Sequence, residues 1–166
     1  MERTLRNGKT ARRTRRASAG KDAIAVLKAD HRQVEGWFKQ FKKSRKTDRK
    51  AELADKICNA LKMHTRIEEE IFYPAFLAAT DDTEIHHEAE VEHAGAKRLI
   101  AEIEGMAPGE DYYDAKVKVL SEMIKHHVKE EEKPGGMFAE ARKSSMDLDS
   151  VGQRLRALKE QLEAQH

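Results

Sequence analysis

The sequence predicts an all-α protein: an antiparallel up-down-up-down four-helix bundle with a disordered basic N-terminal tail and an extra C-terminal helix. Three observations predict this fold class. Apolar residues recur at helical spacing in four long segments, short polar or Pro-Gly stretches separate those segments, and no strand pattern competes. The 166 residues suffice for one bundle, which we expect over 22–143, followed by the last helix over 147–166.

Composition narrows the class of protein. Hydrophobic residues make up 39% and charged residues 37% of the chain, which is typical of amphipathic helices with charged outer faces. No apolar run approaches the roughly 18 residues that a membrane span requires, so we expect no membrane contact. The single cysteine, Cys58, excludes a disulfide within the chain and suits a reducing compartment, which predicts a cytoplasmic protein.

The basic residues are concentrated in the first 21 positions. These positions carry eight lysines and arginines against one acid, Glu2, whereas the rest of the chain has a net charge of −5. Because the tail has no hydrophobic periodicity, we expect it to be disordered. A weak, non-specific contact with nucleic acid is one role for such a tail, and a solvated segment without a partner is the alternative.

Helices A and B follow from their apolar stripes. Helix A is predicted over 22–43, beginning at an aspartate cap, and His31 is the polar residue that interrupts its stripe. Helix B is predicted from about 47 to 79. Because Pro74 lies late in this segment, we expect a kink or break at 72–74.

Helices C and D and the last helix follow in the same way. Helix C is predicted from the cap signals at 81–83 to about 105. Helix D carries an apolar stripe over 113–131, is broken by the Pro-Gly-Gly sequence at 134–136, and resumes at 137–143. The last helix, about 149–164, has a narrow leucine seam that either packs on the bundle or forms a homodimer; the sequence does not choose.

Each of the four stripes admits histidine, or histidine with glutamate, at one point. Antiparallel packing places early positions of helices A and C level with late positions of B and D, so these side chains can converge. Imidazoles and carboxylates together suit two cations held about 3.5–4 Å apart, whereas the plain alternative is a set of paired core residues. The candidate metal ligands are His31, His64, Glu68, His93, His127 and Glu131.

Two pairs on helix D have the required spacing. His126 with Glu130 and His127 with Glu131 are both separated by one helical turn. A loose duplication of the chain, offset by 62 residues, would select the first pair, whereas the apolar stripe selects the second. Since a slip of one residue rotates a side chain by about 100°, we favour the pair that lies in the stripe.

These motifs resemble the hemerythrin-like, or HHE cation-binding, domain family over about residues 22–140. The matching segments are Asp30-His31, His64-Thr-Arg-Ile-Glu68-Glu69 with Ile-Phe-Tyr-Pro74, Glu92-His93, and His127-Val-Lys-Glu-Glu131-Glu132. The resemblance implies a four-helix bundle that holds two oxo- or hydroxo-bridged, non-haem iron ions, although zinc and manganese suit the same ligands. It also implies a protein that binds, senses or handles O2, NO, peroxide or iron.

Two departures from the family pattern bear on function. Oxygen-carrying hemerythrins place a second histidine four residues after the one on helix C, where this chain has Lys97; Glu69 or Glu90 is then a candidate substitute. The segment 133–136 resembles an insertion, so helix D is expected to end close to the site.

The departures leave three functional interpretations. We favour a binding protein over an enzyme. The missing histidine favours, as the first alternative, a di-iron enzyme that decomposes peroxide. The second alternative is a metal-independent helical interaction module with a nucleic-acid-binding tail.

Overall fold

The computed structural model describes residues 21–165, and within this range the chain forms helices and no strand. The α-helices are α1 (Ala23–Lys43), α2 (Thr47–Ile67), α3 (Tyr73–Thr80), α4 (Thr83–Glu104), α5 (Tyr113–Glu132), α6 (Met137–Lys143) and α7 (Leu148–Glu163), and a π-helical turn (Glu68–Phe72) joins α2 to α3. The prediction of an all-α chain is confirmed. The predicted tail lies outside the described residues except for Lys21.

Aspartates begin the helices where the sequence predicted them. The Asp22 carboxylate accepts a hydrogen bond from the backbone N–H of Ala25 at 2.8 Å, and Asp82 accepts one from Ile85 at 3.1 Å. Each bond satisfies an N–H group that has no partner inside the helix. The starts of α1 and α4 are therefore fixed locally, before any tertiary packing is considered.

The disturbance near Pro74 lies about one turn earlier than predicted and is not a break. The chain widens into the π-helical turn Glu68–Phe72, where the N–H of Tyr73 donates to the carbonyl of Glu68. The extra residue in the turn lets the chain pass the proline, which has no N–H of its own. Residues five apart, about 140° apart on an α-helix, then share a face, so Glu68 and Tyr73 both point into the core.

The apolar core has two clusters with a polar layer between them. One cluster is built from the second half of α1, most of α2, and the parts of α4 and α5 that face them. The other contains the start of α1, the π-helical turn, α3, α6 and α7. On α1 the candidate ligand His31 lies between Leu27 of the second cluster and Val34 of the first, and on α4 His93 lies between Ala89 of the second and Ala96 of the first.

Helix α7 packs on this bundle. Its residues Val151, Leu155 and Leu162 are buried in the second cluster. A Cβ atom on Gly152 would lie 2.7 Å from the carbonyl oxygen of Lys21, so only glycine lets α7 approach the start of α1 this closely. The leucine seam is thus packed against the rest of the chain. The predicted boundary between the bundle, ending at 143, and the last helix, beginning at 147, stays a prediction.

None of the helices in the range 21–165 has the length and apolar character needed to cross a membrane.

The thiol of Cys58 is expected to be inert in the folded protein. Cys58 is 3% exposed, and burial, assisted by the nearby carboxylate of Glu104, raises its pKa to about 12. At pH 8 the reactive thiolate should amount to about one part in ten thousand. A chromogenic disulfide reagent should leave the native protein unmodified over many minutes and label one thiol per chain in urea; rapid labelling without urea would contradict this burial.

Candidate metal centre

The six predicted ligand residues lie together in the polar layer between the two apolar clusters. Their exposed fractions range from 0% to 5%, so the side chains are enclosed by protein. They come from α1, α2, the π-helical turn, α4 and α5. Burying so many ionisable groups is costly unless they have partners. The residues are His31, His64, Glu68, His93, His127 and Glu131.

The six residues divide into two groups of two imidazoles and one carboxylate. The groups are His31 and His64 with Glu131, and His93 and His127 with Glu68. The Nε2 atoms of the two histidines are 3.2 Å apart in the first group and 3.3 Å apart in the second. Within each group the donor atoms all lie within 4.8 Å of one another, a spacing at which one cation can draw them in as ligands.

Glu68 faces histidines of both groups. Its Oε1 atom lies 2.9 Å from Nε2 of His64, 3.4 Å from Nε2 of His93 and 3.9 Å from Nε2 of His127. One carboxylate thus stands between the two imidazole pairs, as a carboxylate that bridges two cations must.

Glu131 is placed in a similar way. Its Oε2 atom lies 3.3 Å from Nε2 of His31, and its Oε1 atom lies 3.1 Å from Nε2 of His127. Both oxygens of Glu68 and the Oε2 atom of Glu131 are buried without a well-directed hydrogen bond within residues 21–165, although imidazole nitrogens lie 2.9 Å from Oε1 of Glu68 and 3.3 Å from Oε2 of Glu131. Buried carboxylate oxygens usually have a partner, so three such atoms between four imidazoles fit a donor set for metal ions.

The outward-facing Nδ1 atom of every core histidine contacts a carboxylate. The pairs are His31 with Glu132 at 3.1 Å, His64 with Asp30 at 3.0 Å, His93 with Glu69 at 2.9 Å, and His127 with Glu92. An Nδ1–H that donates to a carboxylate fixes the ring orientation and leaves Nε2 as the atom available to a metal. All four rings are oriented with Nε2 toward the centre.

These outer carboxylates reveal the internal duplication of the chain. Asp30 and Glu92 each precede a core histidine, yet each contacts the histidine of the next long helix. Glu69 and Glu132 each follow a core glutamate, yet each contacts a histidine on another helix. The offset between equivalent residues is 62 on α1 and α4 and 63 on α2 and α5. The second half therefore contains one additional residue before α5.

This extra residue accounts for the ambiguity on helix D. His127 and Glu131 are buried with the other four candidates, whereas the His126 side chain is 60% exposed and that of Glu130 is 27% exposed. His126 instead contacts the outer carboxylate of Glu92, with 3.2 Å between Nε2 and Oε1. The structure thus brings the stripe pair, and not the alternative, to the centre.

A basic side chain lies beyond each outer carboxylate. Arg32 contacts Glu132, Lys159 contacts Asp30, Lys97 contacts Glu69 at 2.6 Å, and His126 contacts Glu92. Lys159 is the contribution of α7, so the last helix reaches the layer that orients His64. The four outer carboxylates belong to the motifs quoted from the sequence, but their contacts were not predicted, because these contacts join residues far apart in the chain.

Lys97 and its two suggested substitutes lie away from the Nε2 atoms. The ammonium of Lys97 is at the surface, paired with Glu69, and Glu69 contacts the Nδ1 side of His93. Glu90 is exposed and lies 3.4 Å from His86. Neither glutamate therefore occupies the position of a fifth nitrogen donor in this arrangement.

The phenol of Tyr73 lies in that region instead. Its hydroxyl is 3.0 Å from Nε2 of His93 and donates to Oε1 of Glu131 at 3.1 Å, and the residue is 1% exposed. Burial and the carboxylates of Glu68 and Glu131 hold the pKa of Tyr73 well above its ordinary value. Tyr73 was missed because the π-helical turn, which directs it inward, has no distinct sequence signal.

Protons balance the buried carboxylates when no metal is bound. Burial alone would lower the pKa of His64, but the carboxylates of Glu68 and Asp30 outweigh it and raise that pKa to about 10. Burial likewise opposes ionisation of Glu68, yet His64, with His127 and His93, holds the pKa of Glu68 well below its ordinary value. A cation at Nε2 must therefore displace a proton from His64.

A small cavity borders the imidazoles on the side of the first apolar cluster. Its volume is about 20 Å³, and its walls include the four core histidines together with Val34, Leu61, Ala96, Ile124 and Val128. A volume of this size holds about one water-sized molecule. The centre therefore adjoins a small, largely apolar space with room for about one molecule of that size.

Comparison with known proteins agrees with the helical fold and identifies a cation-binding domain. The hemerythrin HHE cation binding domain matches residues 22–134. A DNA nickase from Nostoc sp. strain PCC 7120 is 27% identical over 110 residues, which cover 64% of this chain but only 30% of the nickase. A crystal structure of a hemerythrin HHE cation binding domain-containing protein from Mycobacterium kansasii superposes with a TM-score of 0.71 at 24% identity, covering 87% of this chain and 88% of the other, and shows the same fold.

Proposed function

Because this chain belongs to the hemerythrin HHE cation-binding domain family, we propose that its core binds two iron ions and that the loaded centre binds a small ligand. His31, His64 and Glu131 would hold one ion, and His93, His127 and Glu68 the other. When bound, two such ions supply reversible redox chemistry and open positions for O2, NO or peroxide. We also propose that the four long helices run in antiparallel, up-down-up-down order.

One observation carries the proposal: both oxygens of Glu68 and the Oε2 atom of Glu131 are buried without a well-directed hydrogen bond within the described residues, yet each carboxylate faces both histidine groups. Core residues that only pair with one another usually direct hydrogen bonds at such atoms. Two carboxylates also offset much of the charge of two divalent ions. Iron is preferred to zinc or manganese because of the family, since imidazole and carboxylate ligands suit all three metals.

Metal analysis of the protein isolated from its native host tests the proposal. We expect about two iron ions per chain and, after exposure to air, near-ultraviolet and visible charge-transfer absorption that reductant removes. Two zinc or manganese ions per chain would support a dinuclear centre but would show that its metal is not iron. The absence of bound metal, both on isolation and after anaerobic incubation with Fe²⁺, would overturn the proposal.

Tyr73 is proposed as a ligand, or as a hydrogen-bond donor to a ligand, at the ion held by His93. Tyr73→Phe removes only the hydroxyl and leaves a ring that fits the same space. We expect the variant to retain both ions and to lose or shift visible absorption by tens of nanometres, since a phenolate bound to ferric iron absorbs in that region. Tyr113→Phe, in the first apolar cluster, is the matched control. Identical spectra for Tyr73→Phe and the wild type would exclude a phenol at the metal.

Lys159 is proposed to orient His64 through Asp30, although it lies outside the matched family domain. Lys159→Met keeps the aliphatic part of the side chain but removes the charge. We expect iron affinity to fall about tenfold, the lower end of the effect of removing a ligand's outer partner, with Lys159→Arg close to wild type. Arg154→Met removes an exposed charge from the same helix and should change nothing. Equal loss in both methionine variants would mean a general charge effect.

Peroxide decomposition is the enzymatic alternative. At the ion held by His93, the phenol of Tyr73 would take the place of the second histidine that oxygen-carrying hemerythrins have on this helix. The two metal sites would then differ chemically, and this difference favours catalysis over reversible binding. Stopped-flow mixing with excess peroxide separates the two functions. Continued turnover identifies an enzyme, whereas one adduct per centre identifies a binding protein.

Action on nucleic acid is a second alternative, supported by the similarity to the DNA nickase and by the basic residues at 1–21. The chain spans 30% of that protein's length, so the shared part need not be the part that acts on DNA. Incubation of metal-loaded and metal-free protein with supercoiled plasmid tests it. Nicking, or binding that is lost on deletion of 1–21, would favour this alternative.

A further inference from the structure

Three glutamates form a line along α4, and only the innermost, Glu92, contacts a residue of the metal centre, His127. Glu84, Glu88 and Glu92 are four residues apart, so they lie on one face of the helix, about 6 Å apart along its axis. Glu84 and Glu88 are exposed and Glu92 is half-buried, so the line descends from the surface into the protein. All three line a cleft of about 120 Å³ between α4 and the end of α5.

The inner end of this cleft is formed by residues of the candidate centre. Glu131 and His127 line it together with Glu130. Glu131 is 2% exposed, and its Oε2 atom accepts no hydrogen bond from the described part of the chain. The cleft therefore leads from exposed carboxylates to a buried carboxylate with one oxygen, Oε2, that has no hydrogen bond from the described residues and is placed to bind a cation.

The turn after α5 forms the third side of the cleft. A Cβ on Gly136 would collide with the carbonyl oxygen of Glu130 and lie 3.1 Å from that of Glu131, so the turn lies directly on the end of α5. Gly135 has a φ of +75°, which the turn needs. The insertion singled out in the sequence thus has a structural role: it completes one wall of the cleft.

The cleft is strongly acidic. Five glutamates line it, and Lys133 is the one lysine or arginine among its described lining residues. Lys133 contacts Glu130, whose carboxylate is the main cause of the raised pKa of the lysine, with Glu88 and Glu92 adding to it. Carboxylates gathered in a cleft with low-dielectric walls focus the field and can raise the association rate of a counter-ion by 10- to 1000-fold.

We propose that this cleft is the route by which divalent cations enter the buried centre. The carboxylates of Glu84 and Glu88 attract the hydrated ion, Glu92 and Glu130 exchange oxygens for its water, and Glu131 receives it at the inner end. Lys133 opposes entry while it shares the cleft. The inference rests on the proposed function. It adds a path by which metal ions reach a centre that the surrounding helices enclose.

Loading rates test the route. Metal-free protein is mixed anaerobically with Fe²⁺ and quenched at intervals with a fast ferrous chelator, so that the protein-bound fraction is measured directly. The double variant Glu84→Gln with Glu88→Gln should load about three- to tenfold more slowly at low ionic strength and reach the same final iron content. Glu90→Gln with Glu102→Gln is the matched control, because it removes two exposed charges from α4 outside the cleft.

A charge change of opposite sign gives an independent check. Lys133→Gln removes the cleft's lysine and should accelerate loading by a few fold, and salt should diminish both effects. If wild-type protein binds no iron, the proposed function itself fails. If wild type loads but the cleft variants and the control variants load at one common rate, the route is wrong and the proposed metal centre stands.

Discussion

Glu68→Gln is expected to give a folded protein that has lost most of its metal. The glutamine keeps the size of the side chain, but its amide is neutral, and its nitrogen cannot serve as a ligand. Because Oε1 of Glu68 faces His64 in one group and His93 in the other, both ions should be weakened together. Removal of an outer partner lowers affinity 10- to 100-fold, so loss of this oxygen donor should exceed that range. Iron content after dialysis, with circular dichroism for the fold, measures the effect.

Glu70→Gln is the matched control for that experiment. Glu70 lies in the same π-helical turn, but it is exposed and pairs with Arg66 at 2.6 Å. This variant should retain about two ions per chain. A second variant, Glu131→Gln, covers the case in which Glu68→Gln folds poorly and should give the same loss. Full iron content in both folded core variants would mean that the carboxylates are structural and that the metal is bound elsewhere.

The sequence was most informative where polar residues interrupt apolar stripes. A histidine such as His31 in an otherwise apolar stripe must be buried with a partner, and four stripes with this feature restrict the helices to packings in which the intrusions meet. The convergence of six side chains could therefore be predicted without any coordinates. Their role as ligands stays a prediction that the metal analysis tests.

The register on helix D illustrates which sequence argument is the stronger. The duplication argument selected His126 because it assumed a constant offset, whereas an added residue before α5 changes the offset from 62 to 63. The apolar stripe selected His127, since burial is decided by the face of the helix and not by the length of a connection. A local physical constraint outweighed a symmetry argument.

Non-local features could not be predicted. Tyr73 enters the centre because the π-helical turn adds one residue before it, and the widening depends on how α2, α3 and Pro74 are accommodated in the bundle. Lys159 reaches Asp30 across 129 positions of sequence, through the close approach that Gly152 permits. Periodicity describes one helix at a time and contains no information on which distant side chains meet.

Removal of the metal is expected to lower thermal stability by roughly 10 °C. In the metal-free protein, protonated histidines such as His64, whose pKa is raised to about 10, balance the buried carboxylates, so the chain should remain folded. Even one bound ion adds binding energy that only the folded state receives: about 4 kcal/mol at a free concentration 1000 times the dissociation constant. For a domain of this size each kcal/mol corresponds to about 2–4 °C. Thermal melts with and without a strong chelator measure the difference.

The same melts separate the metal centre from a metal-independent module. In Glu68→Gln the chelator should have little effect, because the variant has little metal to lose, whereas Glu70→Gln should respond as the wild type does. Buried ionisable groups that are paired through protons can stabilise a fold as much as groups that bind metal. Identical melting curves for wild type with and without chelator would therefore favour paired core residues, and would leave α7 and the basic tail as the features to explain.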